Sequence, residues 1–203
     1  MTRARLKDQV ENFKQEEIIR VAGDLFYHKG FTKTSVDDIA TALSIGKPMI
    51  YTYFSSKVDL LAAVCNRVTA LAADLAMYSS QTEGTATEKL EKILHDLCLR
   101  TIEGRTYLAV LFREVKHLPP YGLEQLSQND QAFRAIIVQL LEEGKRNGEF
   151  SYSTDEKVMA HAISGMTTWI HTWFRESGPL SPEQVAAQMI DMVWKMVGRE
   201  TAL

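Results

Sequence analysis

Between residues 47 and 53 the chain groups Lys47, Pro48, Met49, Tyr51, Thr52 and Tyr53 around one strongly apolar position, Ile50. This set carries an ammonium, two phenols, a hydroxyl and a thioether. Lysine and tyrosine suit phosphate oxygens, whereas Thr52 and Met49 suit a thymine methyl or a base-edge acceptor. No comparable set exists for catalysis. The five histidines, at 28, 95, 117, 161 and 171, lack a compact spacing that also recruits carboxylates or thiols, so no metal is expected. There is no Ser/His/Asp context, no glycine-rich phosphate loop and no close carboxylate pair, so neither an enzyme nor a cofactor is expected. A second set, Tyr107, Phe112, Arg113, His117, Met166, Trp169 and Trp173, offers aromatic and cationic groups for a small-molecule site between the middle helices. Aromatic and methionine stripes at helical spacing are equally compatible with plain core packing.

The elements that must position these groups all read as helices. Prolines occur only at 48, 119, 120, 179 and 182, and no stretch alternates apolar and polar residues over a strand's length. The first helix is expected from about residue 7 to 29, closed by Gly30. A two-turn helix follows, opened by Thr34 or Ser35, with Ser35 and Asp38 spaced as a capping box. After a break at 43–46 comes a short helix over 47–53 with Pro48 in its first turn, then a long one from Ser56 to about Ser79. Val36, Ile39, Ala40, Ile45, Ile50 and Phe54 are expected to pack inward on Leu25 and Phe26, which forces Lys47, Tyr51 and Thr52 outward. Two short helices joined by a tight break are the pattern of a helix-turn-helix. Further helices are expected over about 85–103, 105–117, 122–147, 154–176 and 181–199, bounded by Thr85–Glu88, Pro119–Pro120, Asn147–Gly148, Gly178–Pro179 and Ser181–Pro182.

At 203 residues the chain suits one domain or two small ones, and 45% apolar with 24% charged residues is enough for a packed core. The longest uninterrupted apolar runs fall short of the ~18 residues of a membrane span, so no membrane association is expected. The charged start of the chain does not read as a secretory signal, and a cytoplasmic protein with Cys65 and Cys98 as buried thiols is expected. The net charge of −3 divides into +1 over residues 1–60 and −4 over 61–203. Arg3, Arg5 and Lys7 are expected to precede the first helix as a basic arm.

The last two helices are too apolar for one buried face. Val185, Met189, Met192, Val193 and Met196 belong to a wide stripe on 181–199, and Val158, Met159, Ala162, Ile163, Met166, Trp169, Ile170, Trp173 and Phe174 nearly encircle the helix before it. Either both helices lie at the centre of a monomer core, or they form a four-helix interface in a two-fold homodimer.

The stretch TSVDDIATALSIGKPMIYTYFSSKVDLL resembles the N-terminal domain of TetR family transcriptional regulators, through its apolar pattern, the I-Y-x-x-F of the third helix and the S-K opening the fourth. The resemblance covers about residues 14–61. It implies an all-α fold with a three-helix helix-turn-helix DNA-binding domain over 1–60. An effector-binding and dimerisation domain over 61–203 completes about nine helices. It further implies a repressor of double-stranded operator DNA released by a small-molecule effector. By this resemblance Thr34, Lys47, Pro48, Met49, Tyr51, Thr52 and Tyr53 face DNA and Lys57 contacts phosphate, and pairing through the last two helices is favoured. Ser44 stands where the family commonly has glycine, so the turn either avoids a left-handed residue or accepts an altered angle. FREVKHLPPY, GKRNGEF and WIHTWFRESGPLSPEQVAAQM are similar to the branch linked to fatty-acid and acyl-CoA catabolism. That implies an acyl-CoA effector, with Arg100 and Arg113 for phosphates and Met166 and Trp169 for the acyl chain. Thr172 departs from branch members that carry a cation at that position. The alternatives are an efflux-type regulator of lipophilic drugs or cations, with Glu114 supplying charge, and a helical ligand carrier without DNA binding.

Overall fold

The computed structural model describes residues 3–199, with side chains described from residue 9 onward. Every regular element among them is helical: α1 (Arg3–Lys29), α2 (Val36–Ala42), α3 (Lys47–Tyr53), α4 (Lys57–Ser80), α5 (Ala86–Glu103), α6 (Arg105–Glu114), a 3-10 turn (Val115–His117), α7 (Pro120–Arg146), α8 (Glu156–Thr168), α9 (Ile170–Trp173) and α10 (Pro182–Met196). The all-α fold expected from periodicity is the fold observed.

Local chemistry sets most boundaries. Gly30 closes α1 with φ +86°, its N–H donating to the Phe26 carbonyl, a left-handed turn that costs glycine nothing. Ser35 caps α2: its Oγ accepts from the Asp38 N–H while the Asp38 carboxylate accepts from the Ser35 N–H at 2.7 Å. Thr85 with Glu88 and Ser181 with Gln184 do the same for α5 and α10. Pro120 opens α7 rather than only ending what precedes it.

Two expectations are corrected. The first helix already includes Arg3, Arg5 and Lys7, so these are not an arm preceding it; their side chains lie outside the described residues. The helix expected over 154–176 breaks at Trp169. There the hydroxyls of Thr167 and Thr172 bond the carbonyls of Ile163, Ser164 and Trp169, competing with the backbone ladder. Helix α4 has an 18-residue window of mean hydropathy 1.5, so by length and composition it matches a membrane span, although no uninterrupted apolar run is that long. Its Leu60, Leu61, Val64, Cys65, Ala73 and Ala76 are buried within the fold.

The chain forms two compact units. The first runs to Arg67 and takes in Thr106–Gln125; the second comprises Val68–Arg105 and the chain from Leu126 on. Residues 61–67 and 106–125, expected in the second domain, group with the first unit. Leu60, Leu61, Val64 and Cys65 are fully buried in the first unit, as is Val110 of α6, and Leu108 is buried beside them. In the second unit, α5, α7, α8 and α10 enclose Leu90, Ile93, Leu94, Ile137, Leu140, Ile163, Val193 and Trp194. A smaller cluster joins Cys98, Ile102, Ile170, Phe174, Val185 and Met189. Both cysteines are free and buried, and burial pushes each thiol up to about 12.

Candidate nucleic-acid interface

Helix α3 is built as the sequence requires. Gly46 precedes it in extended conformation, Pro48 lies in the first turn, and Ile50 alone is buried. Phe54, at i+4 from Ile50, is also buried, while Ile45 is half-buried. Pinning Ile50 against α2 turns the rest of this two-turn helix outward. Lys47, Pro48, Met49, Tyr51 and Thr52 are exposed and Tyr53 is half-buried. The Thr52 hydroxyl donates back to the Pro48 carbonyl at 3.1 Å, leaving its methyl and a lone pair outward. Lys47 Nζ sits 3.0 Å from the Asp37 carboxylate of α2, and this hydrogen bond raises the Lys47 pKa.

Ser44, in the turn between α2 and α3, has φ +55°. The left-handed turn is thus kept although the side chain is not glycine, and the expectation that the turn avoids it is set aside. A non-glycine residue there costs about 1–2 kcal/mol, and Ser44 is exposed, so no clash adds to it.

Thr34 does not face outward as expected, and Lys57, expected as a phosphate contact, is half-buried. Thr34 is only 1% exposed, and its hydroxyl donates to the Gly30 and Leu25 carbonyls at 2.8 and 3.3 Å. Lys57 Nζ donates to the Phe31 and Thr34 carbonyls, both at 2.9 Å, and lies 4.3 Å from the centre of the Phe31 ring. The physical reason is that the 31–34 turn leaves carbonyls without helical partners, and a charged donor at the start of α4 satisfies them. Both residues hold the scaffold beneath α3.

The residues expected to make an effector site are divided. Tyr107, Phe112, Arg113 and His117 belong to the first unit, and Arg100, Met166, Trp169 and Trp173 to the second. Tyr107 lies on α1 where Gly23 leaves room: a Cβ there would come within 2.8 Å of the ring. Arg67 covers the same ring at 5.3 Å and pairs with Glu16. Arg113 donates to the Phe26 and Tyr27 carbonyls at the end of α1, the first of which also accepts from the Gly30 N–H, and bonds Glu114 at 2.8 Å. Glu114 is 6% exposed; its carboxylate also accepts from the Phe31 N–H at 3.5 Å and lies 3.2 Å from His117 Nδ1. Burial alone would raise the Glu114 carboxyl, but the Arg113 and Phe31 hydrogen bonds and His117 hold it below the usual carboxylate range. Arg113 and Glu114, named above as a phosphate ligand and a source of charge, thus already fasten α6 to α1. Phe112, Trp169 and Trp173 are exposed, Arg100 is an exposed partner of Glu103, and Met166 packs against both apolar clusters of the second unit.

The residues expected to pair two copies differ in exposure. Val185, Met189 and Val193 are buried in their own protomer and Met196 packs against the same core, because α10 fills the groove beside α5 and α8; only Met192 is exposed. The outward apolar stripe lies instead on α8 and its end, at Val158 (59% exposed), Ala162, Gly165 and Trp169 (60%). Their i, i+4, i+7, i+11 spacing is a sequence signal, hidden because that helix is apolar on nearly every side. Asp37 was equally missed: α3 has no acid in its first turn, so the counter-charge of Lys47 comes from ten residues upstream.

Two family descriptions match the chain: "Bacterial regulatory proteins, tetR family" over residues 18–64, and "Tetracyclin repressor-like, C-terminal domain" over residues 83–197. Among relatives, the transcriptional repressor KstR2 of Mycolicibacterium smegmatis is 29% identical over 187 residues, covering 89% of this chain and 88% of that protein. Among solved structures, the ketosteroid transcriptional regulator KstR2 of Mycobacterium tuberculosis superposes with a TM-score of 0.78 at 20% identity, covering 92% and 96% of the two chains. AibR, in complex with isovaleryl coenzyme A and operator DNA, superposes with a TM-score of 0.76 at 22% identity, covering 92% and 99%. The matched segments contain the exposed α3, its supporting turn and the helical second unit, and the chain belongs to the TetR family of bacterial transcriptional regulators.

Proposed function

We propose that the chain acts as a homodimeric repressor that docks α3 into double-stranded operator DNA and is released by a small-molecule effector, an acyl-CoA thioester. The observation that carries the DNA-binding part is α3 itself, a two-turn helix with one buried residue whose solvent side offers Lys47, Met49, Tyr51 and Thr52. Half-sites one turn apart require recognition helices about 34–36 Å apart. An effector that shifts the population away from that separation lowers operator affinity, and a coupling of ~1–3 kcal/mol corresponds to roughly 5–150-fold.

The acyl-CoA reading is supported by the likeness to AibR and by the second unit's apolar lining around Met166, with Cys98, Ile102 and Met189 in the adjacent cluster. Exposed Arg100 is the cation available for phosphates in that unit among the residues named from the sequence. An efflux-type sensor of lipophilic cations has less support, since the Glu114 carboxylate already has Arg113 and the Phe31 N–H. Homodimerisation is supported by the Val158, Ala162, Gly165, Trp169 stripe with Met192 on α10. Contiguous exposed apolar side chains on two neighbouring helices call for a partner, and a second copy brings the same surface.

A gel-shift against the chain's own upstream region tests the regulator reading: a specific complex supports it, and no complex, or one indifferent to sequence, sinks it. Titrating acyl-CoAs and lipophilic cationic dyes into that complex tests the effector. Release by acyl-CoA is expected; release by dyes alone, or by neither, rejects the acyl-CoA assignment.

A further inference from the structure

Lys47 occupies an unfavourable place for a cation. It is the first residue of α3, where the helix dipole is positive, and that turn contains no acid of its own. Asp37 compensates from the second position of α2, with a carboxylate oxygen 3.0 Å from the ammonium, and both side chains are exposed. Asp37 is not needed to cap its own helix, because Ser35 and Asp38 already form the complete capping box. What the pair presents to solvent is therefore a donor and an acceptor side by side at the N-terminal end of the helix that meets base edges.

An anion at a DNA surface is repelled by phosphates and gains only where it meets a donor. In the major groove, the donors are the amino groups of cytosine and adenine, and a carboxylate pairs best with cytosine N4. Lysine, in turn, pairs best with guanine O6 and N7. These two groups belong to the two halves of one base pair, with the acceptor and the donor adjacent across its edge. Resting on the DNA-binding reading above, we propose that Lys47 and Asp37 act as one unit that reads a single G·C pair in each half-site. Lys47 bonds guanine while Asp37 accepts from the cytosine amino group, and the protein's own ion pair keeps both side chains in register. The arrangement also limits attraction to phosphate elsewhere, because Asp37 offsets the charge of Lys47 wherever no cytosine amino group replaces it.

The test selects preferred sequences from a random duplex library with the wild-type chain. It then measures binding of wild type, Asp37→Asn, Lys47→Ala and the double variant to the selected site and to each single-base replacement. The expected result is that both single variants lose discrimination at the same G·C position, each by roughly fivefold or more, with the double variant losing little further. Asp37→Asn should also bind non-cognate duplex about two- to fivefold more tightly, as expected for removing one exposed charge partner. Loss of preference at two different positions overturns the proposal, as does a uniform change across all sequences, which would leave Asp37 a counter-ion only. Circular dichroism of each variant checks that these exposed substitutions leave the helices intact. Failure of the wild-type chain to enrich any sequence would instead strike the DNA-binding reading itself, and so distinguishes the two.

Discussion

In α3 one residue of seven, Ile50, is buried and its neighbours Met49 and Tyr51 face solvent, whereas in α10 Val185, Ala186, Met189, Ile190, Val193 and Trp194 are all buried. Both helices carry a clear apolar stripe. In α3 a narrow stripe leaves most of the helix surface for other work, and that surface mixes Lys47, Tyr51 and Thr52 with exposed Pro48 and Met49. In α10 the wide stripe is consumed by the chain's own core, and the exposed apolar surface beside it lies mainly on α8. The lesson is that the width of an apolar stripe measures how much surface must be covered, not which chain covers it.

The strongest way to break this comparison is to place charge on the α8 stripe. Val158→Glu should raise the dimer dissociation constant more than a hundredfold, about 3 kcal/mol, because an unpaired carboxylate would be buried twice per dimer. Analytical ultracentrifugation would see a monomer, and an unchanged dimer would remove α8 from the interface. Arg113→Ala should destabilise the first unit by about 2–3 kcal/mol, since it removes the charged donor to the Tyr27 carbonyl and leaves the buried Glu114 carboxylate without its guanidinium partner. All three tryptophans, 169, 173 and 194, are in the second unit. Hydrogen exchange in α1 and α2 should therefore accelerate while tryptophan fluorescence stays as in the wild type.

Val193→Ala should cost about 2 kcal/mol in urea unfolding with no change in assembly, as two buried methyl groups are lost from a site with 0% exposure. Weakened association at unchanged stability would return α10 to the interface. Lys57→Ala should cost about 1–2 kcal/mol through the Thr34 carbonyl it leaves without this donor and the charged bond lost at the Phe31 carbonyl, while the salt dependence of DNA binding stays the same. A slope lower by about one unit would restore Lys57 as a phosphate contact. The smallest change is Ser44→Gly, expected to stabilise the chain by about 0.5–1 kcal/mol by relieving the left-handed turn, read as a raised thermal midpoint.

Much of this was legible in the chain. The helix ends at Gly30, Ser35, Thr85 and Ser181, the extent of α3 and the outward position of Lys47, Met49, Tyr51 and Thr52 follow from capping chemistry and periodicity. These signals act over three or four residues, and one helical turn is enough to satisfy them. Arg113 and Lys57 were not legible in the same way. As isolated cations they fit a phosphate as well as a backbone carbonyl, and only the arrival of α1's last carbonyls and the 31–34 turn beside them decides.

The amino-acid order alone determined that this chain is helical, where its helices are capped and which side of α3 is apolar, because each of these is fixed by neighbours within a turn. Tertiary structure alone decided that α6 is fastened to α1, that α10's stripe is spent inside its protomer, and that Asp37 reaches Lys47. Those outcomes join residues ten to nearly ninety positions apart. At such separations a charge or an apolar face has several possible partners, and the packing of the whole chain selects one.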